Sequence, residues 1–295
     1  MINVKKGKFV YKNEDGMKKM HEFYDKTLEL LDVPYSEDCF DTSFGETHCL
    51  LVGDPEKPRI CTIHGGNGIT TLNLKLFHPL LEEYSIIAPD VIGMPGKSAP
   101  YRNISNKKDE YGLWIKEVLD HYKEERISFV VSSYSSSMFL SFAKRYPETI
   151  QSALLLVPSG IAHGPILPML GKMVVPFMKY YFCPSVKTLD AVIETMGGKG
   201  DPVWRDFCDI MMSSYKMEMR PPREYKKSEM MPFKAPLLII ASKNDIFFPA
   251  DRVFSKAREI FAEPITTVEI DSKHLPSDET MIDVCKRTKE FFKNS

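Results

Sequence analysis

The stretch Ile127-Ser128-Phe129-Val130-Val131-Ser132-Ser133-Tyr134-Ser135-Ser136-Ser137-Met138-Phe139-Leu140-Ser141-Phe142-Ala143 decides the fold. Residues 127–131 form a short, mostly apolar run without polar alternation, the pattern of a strand covered on both faces. Residues 138–146 continue apolar at a length suited to a helix. Between them stand serines at 132, 133, 135, 136 and 137. A buried strand that meets a helix through a serine presents the hydroxyl at the sheet edge, beside the positive end of the helix dipole. The same serines also suit N-capping of the helix.

Outward from this junction the pattern repeats. Similar strand-like runs fall at 59–63, 85–88, 152–157, 236–241 and 266–270, with helical spacing at 113–122, 250–261 and 278–292. Alternation of this kind predicts an α/β protein with a doubly wound, mostly parallel sheet. Ahead of it, apolar positions in 15–31 recur at helical spacing, and β-type runs around 39–42 and 48–52, separated by Gly45, predict a hairpin. One connection is far longer than a crossover needs. Residues 159–235 are rich in Met and aromatics (Met169, Met173, Phe177, Met178, Tyr180, Tyr181, Met196, Trp204, Phe207, Met211, Met212, Met217, Met219), with breaks at 197–200 and at Pro221-Pro222. This predicts a helical lid inserted into a core domain made of 1–158 and 236–295. Most of the Met and aromatic side chains are expected to form the lid's own core, and the rest to line an apolar pocket.

Composition narrows the function. Net charge is −1, with 39 Lys+Arg against 40 Asp+Glu, so the basic excess of a nucleic-acid binder is missing. The Lys-rich ends (Lys5, Lys6, Lys8; Lys286, Lys289, Lys293) read as solvated faces. The 6 cysteines have no C-x-x-C pair and no zinc-ligand spacing, which predicts free thiols and no metal. The beginning of the sequence has no apolar signal core, and 166–182 is too short and too interrupted by Lys and Pro to span a bilayer. A cytoplasmic protein without a nucleic-acid or membrane partner is expected.

Chemistry collects where strands end. His64-Gly65-Gly66-Asn67-Gly68 follows one strand, and its glycines let backbone N–H groups face open space. Asp90-Val91-Ile92-Gly93-Met94-Pro95-Gly96-Lys97-Ser98 follows the next; it lacks the spacing of a phosphate or dinucleotide loop, so Asp90 and Ser98 read as structural. Asp245 lies just past the fifth parallel strand and His274 just past the sixth. Ser, Asp and His thus occur at one sheet edge in the order used by nucleophile, orienting acid and base in this kind of sheet.

With these motifs the chain resembles the α/β-hydrolase fold family, in particular lidded serine esterases and C–C hydrolases, from about residue 40 to 292. His64-Gly65-Gly66, Asp90…Gly93…Gly96…Ser98, Tyr146-Pro147-Glu148, Pro158-Ser159-Gly160 and the Asp245 and His274 loops carry the resemblance. It implies an acid at Asp245, a base at His274 and an oxyanion hole from the H-G turn. One departure stands out: the family's G-x-S-x-G has no counterpart, since no glycine occurs between Gly112 and Gly160. Register against the strand and Tyr146-Pro147 places the nucleophile at Ser133; sterics favour Ser135, flanked two residues away by Ser133 and Ser137.

The resemblance implies a serine hydrolase acting on an ester or related acyl bond of a small, largely apolar molecule. Ser133 (alternatively Ser135) would attack, His274 would carry the proton, Asp245 would orient His274, and the N–H groups of Gly66 and Tyr134 would hold the oxyanion. No cofactor is expected. An acyltransferase or C–C hydrolase with the same residues, and a ligand-binding protein on a hydrolase scaffold, are the rival readings.

Overall fold

The computed structural model describes residues 7–105, 108–198, 200–262 and 265–295; the expectation for Lys5 and Lys6 lies outside them. In chain order, β1 (Lys8–Phe9) precedes α1 (Glu14–Glu29), β2 (Tyr35–Thr42), β3 (Gly45–Val52) and β4 (Arg59–Ile63). Then come α2 (Thr70–Phe77), β5 (Ser85–Pro89), β6 (Tyr101–Arg102), α3 (Glu110–His121), β7 (Ile127–Ser132), α4 (Tyr134–Arg145) and β8 (Ile150–Leu156). Five helices follow before the sheet resumes: α5 (Ile166–Met169), running through a π-helical turn (Leu170–Val174) into α6 (Val175–Phe182), then α7 (Val186–Met196), α8 (Pro202–Ser214) and α9 (Lys227–Met230). The chain closes with β9 (Leu237–Ser242), α10 (Ala250–Ile260), β10 (Thr266–Ile270) and α11 (Asp278–Lys293).

The main sheet has 8 strands in the order β10-β9-β8-β7-β4-β5-β3-β2. β10, β9, β8, β7, β4 and β5 are parallel, and the β2–β3 hairpin joins antiparallel at the β5 edge. β2 begins earlier than its apolar residues suggest, because Tyr35, Ser36, Glu37 and Asp38 pair with β3 on an edge where polar side chains meet solvent. Among the described residues, β1 pairs only with β6.

The inner parallel strands bury both faces by alternation, whereas β10, at the edge, buries only Ile270 fully. Phe129 and Val131 face the layer of α3, α4 and α10, while Val130 faces the side of α2 and α11. Ala153 and Leu155 then share the first face, and Leu154 and Leu156 the second. Phe129 meets Phe139 and Phe142 of α4 at 5.1 and 5.4 Å between ring centroids, seating that helix on the strand that leads into it.

Topology brings the critical loops together. After β5 the chain crosses back over β4 to lay down β7 on its other side, so the loops leaving β4 and β7 emerge side by side. Open α/β sheets bind ligands at such a reversal, past the carboxyl ends of the strands.

The helices between β8 and β9 pack unevenly. The first described segment of the chain clamps α8: Phe23 stacks near Phe207 at 6.0 Å, the Lys12 N–H donates to the Ser214 carbonyl at 2.8 Å, and a Cβ on Gly16 would sit 2.9 Å from the Ser214 Cβ. Leu189, Val192, Ile193, Phe207, Cys208 and Met211 are buried here. Of the Met and aromatic residues expected to form a lid core, only Phe207 and Met211 are buried. The expectation fails because α6 packs chiefly against α7, with Tyr180 reaching α8 through a hydrogen bond to Asp209 at 2.6 Å, so most of the run from α5 to α6 is left uncovered. All 6 cysteines are free thiols. Among the described residues, no helix is long and apolar enough to cross a membrane.

Candidate functional site

Ser133 follows β7 directly and caps α4 in an uncommon conformation, φ 55° and ψ −125°. A non-glycine residue with positive φ costs about 1–3 kcal/mol and persists only where its surroundings hold it. Three bonds do so. The Ser133 N–H donates to the Leu156 carbonyl at 3.0 Å, and the Ser133 carbonyl accepts from the Ser159 N–H at 3.1 Å and the Ser159 hydroxyl at 2.8 Å. Val157, beside this contact, also has positive φ (41°), an outlier for a β-branched residue. The turn aims the Ser133 hydroxyl out of the sheet edge.

There it meets the other two residues singled out in the sequence. Ser133 Oγ is 2.9 Å from His274 Nε2, and His274 Nδ1 is 2.8 Å from Asp245 Oδ2. The Phe247 N–H donates to Asp245 Oδ1 at 2.7 Å, fixing the carboxylate plane. Asp245 is buried, and the rings of Phe247 and Phe248 lie 4.9 and 5.8 Å from the imidazole, walling it on the side of the Asp245 loop. With Nδ1 donating to a carboxylate, Nε2 of a neutral imidazole is free to accept the serine proton.

Ser135 is not part of this group. Its hydroxyl is fully buried, 2.8 Å from the Ile63 carbonyl and 2.7 Å from that of Ser132, and it accepts the Ser132 N–H at 3.0 Å. The side chain two residues past the turn points back into the sheet.

The glycine turn lies against the elbow as the adjacent strands require. A Cβ on Gly65 would sit 3.3 Å from the Ser133 Cβ, and one on Gly66 would sit 2.9 Å from the Tyr134 Cβ. Tyr134 opens α4, the end at which helix N–H groups point outward. His64 supports the turn from beneath: Val91 N–H donates to its Nε2 at 3.1 Å, which leaves Nδ1–H to donate to the Gly65 carbonyl at 2.9 Å. Burial lowers the pKa of His64, so this neutral tautomer persists at neutral pH.

Asn67 fastens the same turn to the segment before α9. Its side-chain amide donates to the Glu218 carbonyl at 3.1 Å and its Oδ1 accepts the Glu218 N–H at 2.6 Å. Neither this clamp nor the roles of Ser159, His64 and Phe247 was read from sequence. Their signal was positional: each sits within two residues of a motif already singled out.

Asp90 and Ser98 are structural, as their loop spacing suggests. Asp90 Oδ2 accepts from His48 Nδ1 at 2.9 Å and from the Lys97 N–H at 2.8 Å, while the Ser98 hydroxyl donates to the Asp90 carbonyl at 2.7 Å. Burial raises the Asp90 pKa, but the His48 hydrogen bond and charge outweigh it and hold the carboxyl below its ordinary value.

The sheet order, the strained serine turn and the Ser–His–Asp hydrogen bonds define the class of an α/β hydrolase. Comparison with known proteins agrees. Residues 58–232 match the family model described as alpha/beta hydrolase fold. The chain belongs to this family. Among curated relatives it is 27% identical over 139 residues to the uncharacterized carboxylesterase nap of Bacillus subtilis, a match covering 47% of this chain and 46% of that protein. It is 25% identical over 146 residues to carboxylesterase YbfK of the same organism, covering 50% and 49%. The matched stretch thus spans about half the length of these relatives. The solved structure of naproxen esterase (carboxylesterase NP) from Bacillus subtilis superposes with a TM-score of 0.77 at 21% identity, covering 94% of this chain and 98% of that one; at such identity the likeness concerns the fold.

Proposed function

We propose that the protein is a serine carboxylic-ester hydrolase with Ser133 as nucleophile, His274 as general base and acid, Asp245 as the residue that orients His274, and the Gly66 and Tyr134 N–H groups as oxyanion donors. The 2.9 Å approach of Ser133 Oγ to His274 Nε2, on a turn strained to present that hydroxyl, is the observation that carries this reading.

Ser133 Oγ would attack the ester carbonyl carbon while its proton passes to His274 Nε2. Asp245 would stabilise the imidazolium without taking the proton. The tetrahedral oxyanion would lie against Gly66 and Tyr134, where preorganised donors act without reorganising at the moment of reaction. On collapse the C–O bond to the alcohol breaks and His274 protonates the leaving oxygen. Water, deprotonated by the same imidazole, then attacks the acyl-enzyme and releases the acid and Ser133. Residues 159–235 would act as the cap over this site, holding an apolar acyl or aromatic group. Support for the esterase reading over transfer or C–C cleavage comes from the two carboxylesterase relatives.

A fluorophosphonate probe tests the assignment. Folded protein should label once and hydrolyse p-nitrophenyl acyl esters; Ser133→Ala should do neither, and Asp245→Asn should lose about 10⁴-fold in kcat. Absence of both labelling and turnover in the wild type would leave a ligand-binding protein on a hydrolase scaffold.

A further inference from the structure

The helical run 166–182 is apolar nearly throughout, its only charges being Lys172 and Lys179, yet none of its residues is buried. Leu167 is 81% exposed, Tyr181 74%, Phe182 70% and Ile166 66%, and Leu170, Val174, Val175 and Met178 are exposed between them. At 1.5 Å per residue the run is about 25 Å long. A helix that is apolar all round is ordinarily buried, and a continuous exposed apolar patch marks a surface that another phase or molecule covers.

Charge points to the occupant. No carboxylate occurs between Glu148 and Asp190, whereas Lys172, Lys179 and Lys187 all fall there, in a chain whose net charge is −1. A second copy meeting this face across a two-fold axis would bring the same lysines together. An anionic lipid surface would meet the lysines with phosphate and the apolar side chains with acyl chains, Tyr and Phe sitting at the boundary between them. Among the described residues no helix is long and apolar enough to cross a membrane, so the contact would be docking on the surface, and it departs from the sequence expectation of no membrane partner.

The run is also leashed to the site. Just before it, the Gly164 N–H donates to the Phe247 carbonyl at 2.6 Å, and a Cβ on Gly164 would sit 2.6 Å from the Ile246 carbonyl oxygen. Beyond it, at the end of α7, the Met196 carbonyl accepts the Leu275 N–H at 2.7 Å and the Glu194 carbonyl accepts Lys273 Nζ at 2.6 Å. Both attachments fall on the loops that carry Asp245 and His274, so a surface under α5 and α6 lies at the mouth of the site.

We infer that α5 and α6 dock the protein on an anionic phospholipid surface, and that its substrates are esters of amphiphiles taken from that surface. The substrate half rests on the esterase reading; the docking half does not. Cosedimentation of Ser133→Ala with phosphatidylglycerol/phosphatidylcholine vesicles reads docking without turnover. Binding should fall at least tenfold on pure phosphatidylcholine, and likewise in about 0.5 M salt, where the Debye length is only a few ångströms. In the Ser133→Ala background, Leu167→Asp/Phe182→Asp and Lys172→Glu/Lys179→Glu should each remove it. The same pairs should leave the thermal midpoint unchanged, so that lost binding is not lost folding. Vesicle binding that is missing, or indifferent to both pairs, overturns the inference; so does a concentration-dependent dimer in sedimentation velocity that Leu167→Asp/Phe182→Asp dissolves. Vesicle binding by a wild type inert toward soluble esters would keep docking and overturn the substrate half, whereas soluble-ester turnover without vesicle binding overturns docking alone.

Discussion

Gly66→Ala should separate the oxyanion hole from the rest of the site. Gly66 does not need glycine for its φ, so alanine meets no backbone penalty there; its problem is space. The added Cβ would sit 2.9, 3.0 and 3.1 Å from Cβ, Cγ and Cδ2 of Tyr134, against an ordinary contact of 3.4–4 Å. Relief requires the two backbones to part by roughly 0.5–1 Å, comparable with the tolerance within which a catalytic group must be held. Misplacing one oxyanion donor costs about 2.7–4 kcal/mol, or 10²–10³ in kcat, whereas overpacking alone would lower stability by about 1–3 kcal/mol. Steady-state hydrolysis of p-nitrophenyl butyrate, alongside urea unfolding, distinguishes the two effects. Because all three close atoms belong to the Tyr134 side chain, Gly66→Ala/Tyr134→Gly should recover at least tenfold of the loss, a coupling of about 1.4 kcal/mol in a double-mutant cycle. A Gly66→Ala enzyme with kcat within threefold of wild type would refute the placement of the hole.

Ser135→Ala should leave fluorophosphonate labelling intact while lowering stability in urea by about 1–3 kcal/mol, since it strips a buried hydroxyl from the Ser132 N–H and the Ile63 carbonyl. Ser159→Ala should lower kcat by about tenfold with little change in KM, because it loosens the Ser133 carbonyl without touching substrate; a change confined to KM contradicts that. Glu229 should contribute to acid sensitivity: burial raises its pKa, but Arg223 and Lys144 outweigh this and bring it to about 2 against the ordinary 4.5. Its stabilisation is therefore present above pH 4.5 and lost as pH falls toward 2, by about 1–2 kcal/mol once solvent screening is counted, and Glu229→Gln should flatten that limb of the urea midpoint profile.

Much of the sheet was legible because burial on both faces writes itself into sequence. β5, β7, β8 and β9 are mostly apolar runs, and each of the six parallel strands begins within two residues of its expected place. β2 extends beyond its apolar residues because an edge strand needs none. Tyr35 to Asp38 are set in place by their ladder with β3, which is a tertiary cause. The site was legible where strand ends coincided with chemistry-bearing residues, which located Ser133, Asp245 and His274. The residues that steady them were not, because the bonds of Ser159 to Ser133 and of Asn67 to Glu218 cross 26 and 151 positions of sequence. The expected lid core failed for a related reason: Met and aromatic content records apolarity, not whether a partner exists to bury it.

The elbow without glycines is the point at which sequence and structure bear on each other most directly. Family members relieve crowding there with glycine two residues either side of the serine. Here Ser135 takes the later of those positions and adds to the turn, since its hydroxyl accepts the Ser132 N–H at 3.0 Å. Close approach is supplied instead by glycines on the elements that press on α4. A Cβ on Gly112 of α3 would sit 2.5 Å from the Ser141 carbonyl oxygen, and one on Gly160 (φ +85°) 3.1 Å from the Ser137 Cα. Crowding at an elbow is a property of the pair of surfaces that meet, so either surface can yield. The strained φ of Ser133, held by Leu156 and Ser159, is thus kept without the glycines of G-x-S-x-G, while Gly112 and Gly160 admit close packing farther along α4.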